Sequence, residues 1–83
     1  MADRVFVQHG VWAVGSDGHQ WILMHRRRRR AGSYWHPVSY VRSTKAILAR
    51  CMDERGVPPT ASSALLIGLP DTFDQWVLSQ GDE

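Results

Sequence analysis

Apolar and polar positions follow different periods in the two halves of the chain. In the N-terminal half, "VFVQHGVWAV" (5–14) and "HQWILMH" (19–25) are dense in valine, isoleucine and aromatic residues, the side chains that suit a pleated, partly buried surface. Between them lies "GSDG" (15–18), whose Asp17-Gly18 pair signals a two-residue hairpin turn with positive φ at both centres. With that tip, Val14 stands opposite Trp21 and Trp12 opposite Leu23 on one surface, and Ala13 opposite Ile22 and Val11 opposite Met24 on the other. Gly15 offers an alternative in which turn and register shift by one. Both surfaces near the turn are apolar. Helices are therefore expected over one, with the other at least partly covered by the chain or by a partner. "SYWHPVSYV" (33–41) reads as a third strand, beginning or kinked at Pro37, which has no amide hydrogen to give a ladder.

The period then changes. "RSTKAILARCMDERGVPP" (42–59) offers Ser43 as an N-cap, a stripe of Ile47, Leu48, Cys51 and Met52 at three-and-four spacing, Gly56 as a stop and Pro58 just beyond it. Thr60 is positioned to cap a second helix through "ASSALLIG" (61–68), and Asp71 a third through "TFDQWVLSQ" (72–80), with Phe73, Trp76 and Val77 on one face. "SALLIGL" (63–69) fits a buried strand equally well, because periodicity does not separate the two. The order of elements predicts a single α+β domain over 1–83: a three-stranded antiparallel sheet from the N-terminal half, packed on one face by two or three helices from the C-terminal half. A tail, 80–83, is expected to fray.

Eighty-three residues suffice for one domain, which buries only about 60–65% of its unfolded surface, so a partner or a homodimer is compatible with its size. Four tryptophans supply large contact areas, and at least three are expected in the core. The single cysteine, Cys51, allows no internal disulfide, and its place on the apolar helical stripe marks it as a small core residue. A reducing, cytoplasmic setting fits. The opening "MADRVFVQHG" lacks a basic segment followed by a long apolar one, and runs such as Trp21 to Met24 are too short to span a bilayer, so no membrane association is expected.

The arginine run is the least ordinary feature. The net charge of +2 conceals nine cations against two acids in residues 1–50, a net +7, and one cation against six acids in residues 51–83, a net −5. Such a dipole steers an anionic partner to one end. Arg26, Arg27, Arg28, Arg29 and Arg30 follow the second apolar run without interruption. Alternating strand residues point to opposite sides, and the simple register places His9 opposite Arg26 and Val7 opposite Arg28. Five arginines then do not fit a sheet covered on one face. The economical expectation is that the strand twists out of the sheet or ends within the run, leaving 26–33 as a projecting basic arm or loop.

Guanidinium groups bond phosphates bidentately and stack on bases, and Tyr34 and Trp35 offer rings beside them. Arg42 and Lys45, near the start of the first helix, are candidate auxiliary phosphate contacts. These residues suggest a small non-enzymatic module that binds nucleic acid through the phosphate backbone. The run also fits a solvated arm, since runs of like charge are commonly solvated and keep sheet edges from pairing. A third reading is an interaction or inhibitor protein, an accessory factor of the scale carried by phages and mobile elements. Its arm would plug an acidic, or a nucleic-acid-binding, surface of a larger machine.

Other chemistry is not indicated. His9, His19, His25 and His36 are spaced unlike any zinc signature, so no metal or other cofactor is expected. There is no nucleophile elbow, and "GSDG" precedes a strand rather than a helix, so it is no phosphate loop.

Overall fold

A computed structural model describes residues 4–80. The fold is α+β, with four strands followed by three helices: β1 (Arg4–His9), β2 (Trp12–Ser16), β3 (Trp21–Arg29), β4 (Gly32–Val41), α1 (Lys45–Glu54), α2 (Pro59–Leu66) and α3 (Phe73–Gln80). The sheet is an antiparallel meander in the order β1-β2-β3-β4. The expected three strands are four because 5–14 is not one strand. Gly10, at φ +62°, reverses the chain, and His9 pairs with Trp12 across a two-residue turn. Glycine at the first turn position is what a type II′ hairpin requires.

The expected hairpin register is also corrected. Ser16 pairs with Trp21, Val14 with Leu23, Ala13 with Met24 and Trp12 with His25, a displacement of two residues that preserves which side chains share a face. Asp17-Gly18 therefore belongs to a four-residue loop, 17–20. Asp17 Oδ1 accepts the His19 amide at 2.8 Å, its Oδ2 accepts the Gln20 side-chain amide at 3.1 Å, and Ser16 Oγ accepts the Gly18 amide at 3.0 Å. These local bonds form an Asx turn. They hold the Asp17 carboxyl below its ordinary range, chiefly through the His19 backbone bond.

Trp12, Val14, Trp21, Leu23 and Val41 lie on the face against which Leu48 and Met52 of α1 and Ala61 and Leu65 of α2 pack, with Val57, Leu69 and Phe73 completing the main core. Not all the helices share that face. Phe6 is the extra residue of a bulge in β1 and meets Trp76 of α3, ring centroids 5.0 Å apart, while Phe73 stands edge-on to Trp21 at 5.5 Å. Helix α3 thus runs from Trp21 in the core, at Phe73, to Phe6 of β1, at Trp76. The opposite face of the sheet carries a smaller core of Ala13, Ile22 and Met24, with Val5 and Trp35 packed on it. Thus the chain itself covers the second apolar surface, and all four tryptophans take part in packing. On α1, Leu48 and Met52 are buried and Cys51 half-buried, whereas Ile47, expected on the apolar stripe, is 43% exposed.

The helix caps sit one residue later than expected for α1 and α3. Thr44, not Ser43, accepts the Ile47 amide at 3.2 Å. Thr72, not Asp71, accepts the Gln75 amide at 3.1 Å while Gln75 Oε1 accepts the Thr72 amide at 3.2 Å, a reciprocal capping box. The two caps form a β-bridge with each other, in which the Lys45 amide donates to Asp71 O and the Phe73 amide to Ser43 O. Each helix start thereby satisfies one orphan amide of the other. The second helix starts at Pro59 after Pro58, without a side-chain cap, so Thr60 lies inside its first turn. Helix, not strand, holds for 63–66. At the end of α1, the Gly56 amide bonds Asp53 O and the Val57 amide bonds Met52 O. This is a Schellman motif whose apolar pair, Met52 and Val57, is buried. Gln80 is helical, and the fraying expected beyond it falls outside the described residues. No helix is long and apolar enough to cross a membrane among the described residues.

Candidate nucleic-acid interface

The expected arm, 26–33, is for the most part a paired hairpin and not an open loop. Strand β3 continues through Arg29, with Arg26 opposite Trp35, Arg27 opposite Tyr34, Arg28 opposite Ser33 and Arg29 opposite Gly32, and the chain turns at Arg30-Ala31. Pro37 sits within β4, the sheet's edge strand, rather than at its start. It pairs with Met24 beside a bulge that leaves Val38 as the extra residue. The charge conflict posed by alternation is resolved by length. Strand β2 ends at Trp12 opposite His25, and its last link to β3 is the Arg26 amide donating to Val11 O at 2.8 Å. Beyond that point β3 and β4 run on as a two-stranded ribbon, with neither β2 nor a packed core against them. Both faces are then available, and Arg26 through Arg30 are all exposed.

Pairing assigns the faces. Arg26 and Arg28 share the side of Met24 and the smaller core, and Arg27 and Arg29 the side of Leu23 and the helices. Each side holds one guanidinium on a ring: Arg26 Cζ lies 4.8 Å from the Trp35 centroid, and Arg29 Cζ 4.0 Å from that of Tyr34. Stacks of this kind at an exposed site contribute about 0.5–1 kcal/mol each, enough to bias a long side chain toward one orientation. Among the described residues the one ion pair is Arg50 with Glu54, one helical turn apart at 3.5 Å. No carboxylate of 4–80 neutralises the arm.

At the base of the arm, pairing links His9 to Trp12, Trp12 to His25 and His25 to His36. These four residues form one row across the sheet on the helix side. Trp12 meets His25 edge to face at 4.5 Å, and His36 meets Tyr34 likewise at 6.3 Å. The row went unforeseen because the expected register put His9 beside Arg26. Its signal in the sequence is Gly10, which turns one strand into two. Among the described residues no three His, Cys, Asp or Glu side chains gather as a metal site.

Two expected contributors lie elsewhere. Arg42 follows the far end of β4, seven residues beyond Trp35, or about 23 Å along an extended strand. The Lys45 Nζ donates to Leu69 O at 3.0 Å, tying α1 to the loop before α3. The amide of Lys45 is already used by Asp71 O, so the start of α1 does not offer it to a phosphate. An open, largely apolar groove of about 390 Å³ runs past Lys45, Ala46, Ala49 and Leu66, on the helical side of the molecule and apart from the arm. No protein-family model, curated protein or solved structure matches the chain.

Proposed function

We propose that this chain is a small non-enzymatic nucleic-acid-binding module whose β3–β4 ribbon neutralises backbone phosphates with Arg26 to Arg30. The observation that carries this reading is five consecutive exposed guanidinium groups on a ribbon that extends past the rest of the sheet, with no carboxylate of residues 4–80 paired to them. A protein uses such charge in water either to repel its own kind or to engage an anion. The two ring-stacked arginines favour engagement, because ordering a guanidinium in advance reduces the entropy lost when it binds. Arg42 and Lys45, distant or already bonded, are left out of the contact set. Tyr34 and Trp35 act by orienting arginines.

The test is binding of a fluorescent oligonucleotide at about 50 mM salt, with glutamine replacing Arg26 to Arg30 in a chain whose fold is checked by circular dichroism. The wild-type chain binds and the folded glutamine variant loses at least about tenfold in affinity. A wild-type chain that binds no oligonucleotide but does bind an acidic protein surface transfers the same arm to a protein partner.

A further inference from the structure

The shape of the arm narrows the nucleic acid it fits. Building on the phosphate-binding reading above, we infer that the ribbon enters the major groove of duplex DNA, as opposed to lying along a single strand or on double-stranded RNA.

Three features carry this. The first is size. The four residue steps from Arg26 to Arg30 reach about 13 Å. The major groove of B-DNA is about 12 Å wide and 8.5 Å deep and admits a two-stranded ribbon, so the tip at Arg30-Ala31 reaches its floor while the body stays outside. The second is the distribution of charge. Arg26 and Arg28 project from one face, Arg27 and Arg29 from the other, and Arg30 stands at the tip. A groove walled by phosphates on both sides uses both faces, and a single strand laid on one face uses half of them. The third is the state of the rings. Tyr34 has Arg29 over it and His36 edge-on to it, and Trp35 lies between Arg26 and the Ala13–Ile22–Met24 core. Single-strand binders instead leave aromatic faces open for successive bases. Double-stranded RNA has a major groove too narrow for side chains to read.

The experiment compares one sequence as duplex DNA, single-stranded DNA and double-stranded RNA with the full chain at equal salt. It adds a duplex methylated at guanine N7, which faces the major groove, and one methylated at adenine N3, which faces the minor groove. Duplex DNA binds tightest, by about tenfold or more; N7 methylation weakens it several-fold and N3 methylation leaves it unchanged. Single strands or duplex RNA binding as tightly as duplex DNA overturns the groove assignment and leaves phosphate binding intact. Indifference to N7 methylation does the same. Failure to bind all the probes removes both. A Tyr34→Leu chain, folded by circular dichroism, binds duplex DNA more weakly than wild type because Arg29 loses its support.

Discussion

At Gly15 a methyl group would meet the Arg4 carbonyl oxygen and come within 2.7 Å of the Met24 methyl. The start of β1 crosses close to β2 there, so backbone, and not only a flexible side chain, has to move. Gly15→Ala is therefore expected to destabilise the fold by about 1–3 kcal/mol, read from the midpoint of urea unfolding. At Asp17 the effect is one of pH. Its carboxyl is held low by the His19 amide and the Gln20 side chain. A folded-state value below the unfolded one gives stabilisation that is complete above the unfolded value, about 3.9, and is lost as pH falls through the lowered one. Wild type should thus lose stability relative to Asp17→Asn as pH falls through that window and keep a constant difference from it above the window, as measured by denaturation between about pH 2 and 6. Trp35→Ala uncovers Ile22 and Met24 and frees Arg26 together. It should cost about 1–3 kcal/mol in the same unfolding assay and weaken oligonucleotide binding as well, whereas a purely structural tryptophan would affect only the first.

The helix starts show how elements depend on one another. Thr44 and Thr72 cap α1 and α3 and are bridged to each other. Thr44→Ala and Thr72→Ala should each cost about 1 kcal/mol. The double variant is expected to depart from additivity by about 0.5 kcal/mol or more, since each cap positions the carbonyl that satisfies the other helix; a double-mutant cycle of unfolding free energies measures this. The sequence made the helices and the fold class legible through the 3.6-residue stripe of α1, the Gly56 stop and the order of elements. The caps shifted by one because Ser43 and Thr44, like Asp71 and Thr72, are adjacent and chemically equivalent as caps; only the bridge between them chooses. The split of 5–14 hinges on Gly10, whose turn follows a run of strand formers without an Asn or Asp to announce it. The continuity of β3 through Arg29 was obscured because like charges usually end strands. The long partner strand β4 carries them past the end of β2, where both faces meet water.

For the whole molecule, charge is separated along the sequence. Residues 51–83 hold six of the eight acids, and residues 1–50 nine of the ten cations. Within 4–80 the acids make their one ion pair with Arg50 and none with the arm. The ribbon therefore presents its field outward, which hastens encounter with an anion and depends on ionic strength. The most direct test is the salt dependence of duplex binding by the wild-type chain and by the chain with glutamine at Arg26 to Arg30. The wild-type logarithm of affinity should fall with the logarithm of salt at a slope of about −4.5, near −0.9 for each phosphate engaged by the five arginines, and the slope of the variant should flatten toward zero. Equal slopes for the two chains would contradict the assignment of phosphate binding to the arm.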